Sequence, residues 1–96
     1  MFVILVKYVK PLEEVDRAVE AHRKFLARYY ASGHFLLSGP REPRTGGVIL
    51  ANGESKPELE KIIQQDPFFI AHIAEYEIVE FKPVMAAEAF AGFRKP

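Results

Sequence analysis

His22 and Asp66 are the residues of this sequence best suited by type to move a proton. His22 lies on a helical stripe of apolar residues, where a Leu would be expected. The stripe consists of Val15, Ala18, Val19, Phe25 and Leu26. Imidazole titrates near neutral pH, so a histidine facing a cleft between helix and sheet can act as a general base or acid. The same position also fits a core histidine that bonds a backbone carbonyl.

Asp66 precedes Pro67, and an Asp before Pro is typical of a helix N-cap, where the carboxylate accepts from backbone N–H groups. A second interpretation is that Asp66 lies beside His22. A carboxylate there would fix the tautomer of the ring and stabilise its protonated form. Both residues are expected on the same face of a sheet, which allows this contact without requiring it.

Ser38, Gly39 and Pro40 follow one another at the end of a predicted strand and fit a plain turn. Alternatively, the Ser38 hydroxyl orients a substrate oxygen. No Gly-x-Ser-x-Gly pattern surrounds it, so a nucleophile elbow is not indicated. Arg41 and Arg44 could grip a carboxylate, although solvated arginines fit a polar loop equally well.

Metal and cofactor motifs are not found. The spacing of His22, His34 and His72 matches neither H-x-x-x-H nor H-E-x-x-H. There is no phosphate-binding glycine loop and no dinucleotide fingerprint, so we expect no metal and no cofactor. Phe68 either anchors a short helix in the core or lines a pocket for an aromatic ligand.

Composition excludes several functional classes. The 96 residues suffice for one domain, with 49% hydrophobic and 27% charged residues. Thirteen basic and thirteen acidic residues balance, which argues against nucleic-acid or membrane-surface binding. The chain has no Cys, no apolar run long enough to span a bilayer and no basic n-region of a signal peptide. We therefore expect a cytoplasmic protein.

The periodicity predicts four strands and two main helices. Residues 13–32 are expected to form the long first helix, ending at Gly33, and Ser55 begins a capping box for the second. A short helical turn is expected over 68–73. The predicted strands are 2–9, 35–38, 48–51 and 75–82.

The order β-α-β-β-α-β predicts an α+β, ferredoxin-like fold, with a four-stranded antiparallel sheet and both helices on one face. The first strand is apolar on both faces, so a second copy of the chain is expected to cover the other one in a homodimer. The tail, residues 84–96, is too apolar for a solvated coil. It either crosses the partner as an arm or folds back on its own subunit.

The sequence resembles the YCII-related family of small dimeric α/β-barrel proteins over residues 1 to about 83. In combination, a His in the first helix, a Gly-Pro after the second strand and an Asp-Pro-Phe before the last strand carry the resemblance. The matching segments are the opening strand, residues 22–26, 33–40, 65–69 and 74–81.

The resemblance implies a domain over residues 1–83 whose sheet pairs into a barrel in a dimer, and a His–Asp active site at His22 and Asp66. It implies a pocket role for Ser38 before Gly39-Pro40. His72 stands where the family commonly has Gly, so we expect it to narrow the substrate pocket or add a polar contact there.

The leading hypothesis is a small cofactor-independent enzyme that performs elimination or isomerisation by proton transfer on a small organic, aromatic or carbonyl-containing, molecule. One relative of the family removes chloride from a hydroxylated aromatic ring. For this chain, the resemblance implies a class of mechanism and does not imply a substrate. A ligand-binding module without turnover, and a purely structural dimer in which His22 and Asp66 form a buried hydrogen bond, are the alternatives.

Overall fold

Four antiparallel strands form a single sheet in the computed structural model, which describes residues 1–95. The strand order across the sheet is β2-β3-β1-β4, so β1 and β3 are central and β2 and β4 lie at the edges. This is the predicted ferredoxin-like arrangement. The strands are β1 (Phe2–Tyr8), β2 (Phe35–Pro40), β3 (Gly46–Ala51) and β4 (Ala74–Glu80).

Three α-helices connect the strands: α1 (Leu12–Ala31), α2 (Lys56–Ile63) and α3 (Pro67–Ile70). Both predicted ends of α1, and the predicted start of α2 after Ser55, are confirmed to within one residue. Gly33 follows α1 with a φ of 83°, a left-handed conformation that favours glycine. The Ser55 hydroxyl caps α2 by accepting from the Glu58 N–H at 3.3 Å. Among the described residues, no helix has the length and apolarity needed to cross a membrane.

The hydrophobic core lies between the helices and one face of the sheet. Alternate residues of β1 point into it, because successive side chains of a strand face opposite sides. Phe2, Ile4 and Val6 are buried there, together with Phe25 of α1 and Leu59 of α2. Both main helices therefore lie on the same face, which places the His22 and Asp66 segments on one side of the sheet.

The edge strand β2 continues to Pro40, two residues past the predicted stop at Ser38. Gly39 pairs with Val48, and Pro40 pairs with Gly47. A proline lacks the N–H needed for a central position, but an edge strand has one side free of pairing and tolerates it. The expected turn at Gly39-Pro40 is therefore part of the sheet, and the polar loop begins at Arg41.

The opposite face of the sheet carries apolar side chains that α1 and α2 do not cover. Val3 and Leu5 of β1 are half-buried, and on the edge strands Leu37 is 61% and Val79 is 42% exposed. The register places these residues on the same side, since Leu37 pairs with Leu50, Leu50 with Val3, and Val3 with Val79.

The tail contains a short 3₁₀ helix at Glu88–Phe93. The Lys95 N–H donates to the Pro83 carbonyl at 2.9 Å, so the end of the tail lies beside the residue that precedes it. Met85 is 87% and Phe90 is 55% exposed. The tail thus returns toward its own subunit, with Phe93 half-buried and with Met85 and Phe90 exposed to solvent.

Candidate active site

His22 and Asp66 are in direct contact. His22 Nδ1 lies 2.8 Å from Asp66 Oδ1. A carboxylate can only accept, so Nδ1 carries the proton and donates it. The other ring nitrogen, Nε2, makes no hydrogen bond to another residue in the 1–95 range. The His22 side chain keeps 15% of its surface exposed and lines a pocket. In a neutral ring with the proton on Nδ1, the lone pair is on Nε2.

The Asp66 carboxylate is fully buried and accepts three hydrogen bonds. Besides His22, the Phe68 N–H donates to Oδ1 at 2.9 Å, and the Tyr76 hydroxyl donates to Oδ2 at 2.6 Å. Asp66 is therefore the N-cap of α3 and the partner of His22 at once, so the two interpretations of this residue are both correct. Three donors offset the cost of taking the charge out of water.

The contact with Asp66 affects the pKa of Tyr76. Its burial, and then the adjacent negative charge and hydrogen bond of Asp66, raise the pKa of Tyr76 above its ordinary value. The hydroxyl therefore stays protonated and remains a donor to Asp66 across the whole neutral range.

Phe68 holds the plane of the imidazole. Its ring stacks on the His22 ring with centroids 4.0 Å apart and planes 7° apart. The ring of Tyr8 meets Phe68 edge-on at 5.8 Å. Phe68 is only 2% exposed, so it anchors α3 in the core and also forms one wall of the pocket.

The pocket beside His22 has a volume of about 430 Å³, within the size range of small-molecule sites. Ser38, Gly39 and Pro40 line it from the end of β2, opposite α1. The Ser38 hydroxyl is hydrogen-bonded to that of Tyr30. The structure thus brings five of the predicted site residues to the wall of one cavity; these are His22, Ser38, Gly39, Pro40 and Phe68. Asp66 is fully buried behind His22 and does not line the cavity.

His72 does not reach this pocket. It is exposed, is not among the residues that line the cavity, and has a φ of 56°. It occupies the left-handed position after α3. The His72 N–H donates to the Phe69 carbonyl, and the Ile73 N–H donates to the Phe68 carbonyl. This is the Schellman arrangement, in which glycine is preferred. The predicted contact of His72 with the pocket is therefore wrong, because His72 lies in the turn that ends α3.

Comparisons with known proteins identify the family and the fold of this chain. The family model for the YCII-related domain matches residues 1–82. The chain belongs to the YCII-related family. Among curated protein sequences there is no significant match.

A solved structure with the same fold is the 5-chloro-2-hydroxyhydroquinone dehydrochlorinase of Burkholderia phenoliruptrix, in complex with 2,5-dihydroxybenzoquinone. The TM-score is 0.71 at 20% sequence identity, and the alignment covers 85% of this chain and 94% of that one. The similarity supports the YCII-type ferredoxin-like fold.

Sequence reasoning missed Tyr76 and Arg23 of this YCII-related protein. Tyr76 reads as one more apolar member of β4, but the register pairs it with Val6, whose side chain faces the core. The alternation of β4 was the available signal, since it puts Tyr76 on the helix-covered face. Arg23 follows His22 on α1 and also lines the pocket. Within residues 1–95, no cluster of three or more His, Asp or Glu side chains could hold a metal ion.

We expect Tyr76→Phe to lower the free energy of unfolding by about 1–3 kcal/mol at neutral pH, because Asp66 Oδ2 then stays buried without its donor. The Tyr76 contribution is complete below its ordinary pKa of 10.0 and is lost as the pH rises above it, since the unfolded chain ionises first.

Urea denaturation of both proteins between about pH 8 and about pH 11 measures this effect. The difference between wild type and Tyr76→Phe should shrink as the pH rises. A difference that stays constant would show that Tyr76 does not donate to a buried charge.

We expect His72→Gly to raise the free energy of unfolding by about 1 kcal/mol, because glycine adopts a positive φ without strain. Ala71→Gly is the matched control: Ala71 is also exposed but has a φ of −87°, so glycine there should destabilise the protein. Chemical denaturation compares the two variants. Destabilisation by His72→Gly would mean that the imidazole makes contacts that outweigh the strain.

Proposed function

We propose that this YCII-related protein is a small enzyme that catalyses proton transfer on a small organic molecule, without a cofactor. The observation that carries the proposal is the 2.8 Å contact between His22 Nδ1 and Asp66 Oδ1 beside an open pocket. An imidazole held in one tautomer by a buried carboxylate, with its second nitrogen toward a cavity, is the arrangement of a general base.

In the proposed reaction the Nε2 lone pair of His22 removes a proton from a C–H or O–H group of the substrate. The electron pair left on the substrate either expels a leaving group, which is an elimination, or takes up the proton at another atom, which is an isomerisation. Asp66 orients the ring and compensates the charge that the ring acquires. Phe68 keeps the ring plane fixed through the stack.

A binding module that never turns its ligand over would use the same pocket. The apolar lining from Val6, Val19, Leu26 and Ile49 would serve binding equally well. The two functions differ in whether a bound molecule loses a proton to Nε2. A purely structural role for the His22–Asp66 pair predicts a loss of stability alone.

The test is proton exchange in heavy water. Wild-type protein is incubated with 1,2,4-trihydroxybenzene, 2,5-dihydroxybenzoquinone, 2-oxobutyrate and an unsaturated γ-lactone, and NMR follows the loss of substrate C–H signals. We expect exchange above the uncatalysed rate for at least one class, and His22→Gln to lower it by about 10²–10⁴-fold. Asp66→Asn should lower it while leaving some residual rate.

His34→Gln is the matched control. His34 is also a partly buried histidine, bonded to Ser32 at 2.7 Å, but it lies outside this pocket. It should leave the exchange rate unchanged. Equal rates for wild type and His22→Gln would refute catalysis by His22, and ligand-induced shifts without exchange would indicate the binding module.

The second part of the proposal is that the protein acts as a homodimer whose sheets pack face to face. The support is the apolar side of the sheet opposite the helices, where Leu37 and Val79 lie exposed at its two edges. A second copy presents the same surface, so an isologous interface would bury both. Within residues 1–95, α1 and α2 pack on the other face of the sheet and leave this one uncovered.

We expect the wild-type protein to run at about twice its 10.9 kDa chain mass in light scattering, and Leu37→Glu/Val79→Glu to run as a monomer. Leu12→Glu/Ile70→Glu is the matched control, because these residues are 44% and 63% exposed but belong to the helices. Monomeric wild type, or equal dissociation by both double variants, would contradict the face-to-face dimer.

A further inference from the structure

The formal charges that line the pocket beside His22 come from two arginines. Arg23 lies on α1, directly after His22, and Arg44 comes from the loop between β2 and β3. No Asp or Glu lines the cavity within the described residues. The remaining walls are apolar side chains, aromatic rings and the short Ser38-Gly39-Pro40 segment.

Arg44 is held in place from outside the pocket. Its Nη2 donates to Asp16 Oδ1 at 2.6 Å. Asp16 lies on α1, about two helical turns before Arg23. Both side chains are solvent-accessible, and an exposed ion pair of this kind adds little to stability. Its effect is to fix the direction of the guanidinium. Because a guanidinium carries five N–H donors, the bond to Asp16 leaves others for a ligand.

Arg23 makes no ion pair with another residue of the 1–95 range. Two carboxylates near the cavity are already engaged: Asp66 is buried behind His22 with three donors, and Asp16 binds Arg44. A guanidinium beside an apolar cavity that no carboxylate lines favours an anionic group on a molecule that enters it.

We propose that the ligand of this pocket is a small carboxylic acid, whose carboxylate is bound by Arg23 and Arg44 while its carbon skeleton occupies the apolar space beside His22. This inference rests on the proposed function for the orientation of the reacting atom toward Nε2, but the binding itself is independent of turnover. The planar fork of a guanidinium matches the two oxygens of a carboxylate, and the remaining lining suits a ring or a short hydrocarbon chain.

The positions of the charged residues also indicate how a bound acid would be oriented in the pocket. Arg23 and His22 are successive residues on α1, and the Ser38 hydroxyl and Arg44 come from the opposite strand and loop. We infer that an acid bound through its carboxylate places its skeleton in the apolar part of the cavity, next to the imidazole. In the proposed binding mode, a C–H bond of the acid is the neighbour of Nε2.

The test uses matched pairs of acids and amides. Benzoate, phenylacetate and cinnamate are compared with benzamide, phenylacetamide and cinnamamide by NMR titration of the His22 ring signals, which locates binding at this site. We expect at least one acid to bind about tenfold more tightly than its amide, and added salt to weaken that acid selectively.

The variants Arg23→Gln and Arg44→Gln should each weaken binding of that acid by about fivefold or more, and leave the amide unaffected. Arg41→Gln, in the same loop as Arg44, and Arg17→Gln, on α1, are the matched controls, because both are exposed and neither lines the pocket. They should change binding by less than about twofold.

The proposal is overturned if no acid binds more tightly than its amide, if the control variants weaken binding as much as Arg23→Gln and Arg44→Gln, or if 4-nitrophenolate or inorganic phosphate binds more tightly than every carboxylate. Failure of the proposed function is a separate outcome. In that case the arginine variants lose acid binding as expected, while His22→Gln changes no rate of proton exchange.

Discussion

The burial of the Asp66 carboxylate is the constraint on which the site depends. A fully buried charge is costly unless hydrogen-bond donors replace the lost water, and here the donors come from α1, α3 and β4. His22, the Phe68 backbone and Tyr76 are therefore fixed relative to one another by a single side chain. A residue at position 22 that could not donate a hydrogen bond would leave the buried charge of Asp66 with one donor fewer. The position of the imidazole therefore contributes to the stability of the fold.

The pocket follows from the way helices cover the sheet. Helix α1 and the short helix α3 pack on the same face, and the space between α1 and the end of β2 stays open beside Phe68. Because Phe68 belongs to the core and to the pocket wall at once, the stack that orients His22 is supported by the packing beneath it. His22 and Asp66 are thus held by helices that pack on the core, which is what the proposed general base would require.

Two glycine-type positions show how local backbone geometry shapes this chain. Gly46 begins β3 where a Cβ would overlap the Val6 carbonyl, so the loop carrying Arg44 enters the sheet in close contact with β1. His72 occupies a left-handed position that glycine would fill without strain. The imidazole there is exposed, so the departure from the family pattern lies at the end of α3 and leaves the pocket lining unaltered.

The sequence by itself determined the element order, the covered face of the sheet and the candidates His22 and Asp66, because these follow from periodicity, caps and turn residues that act within a few positions. It left open whether residues 44 positions apart would meet, and it did not show the role of Tyr76, the pocket position of Arg23 or the exposure of His72. Those were decided by strand register and helix packing. Contacts distant in sequence depend on how elements are placed against one another, which no local pattern encodes.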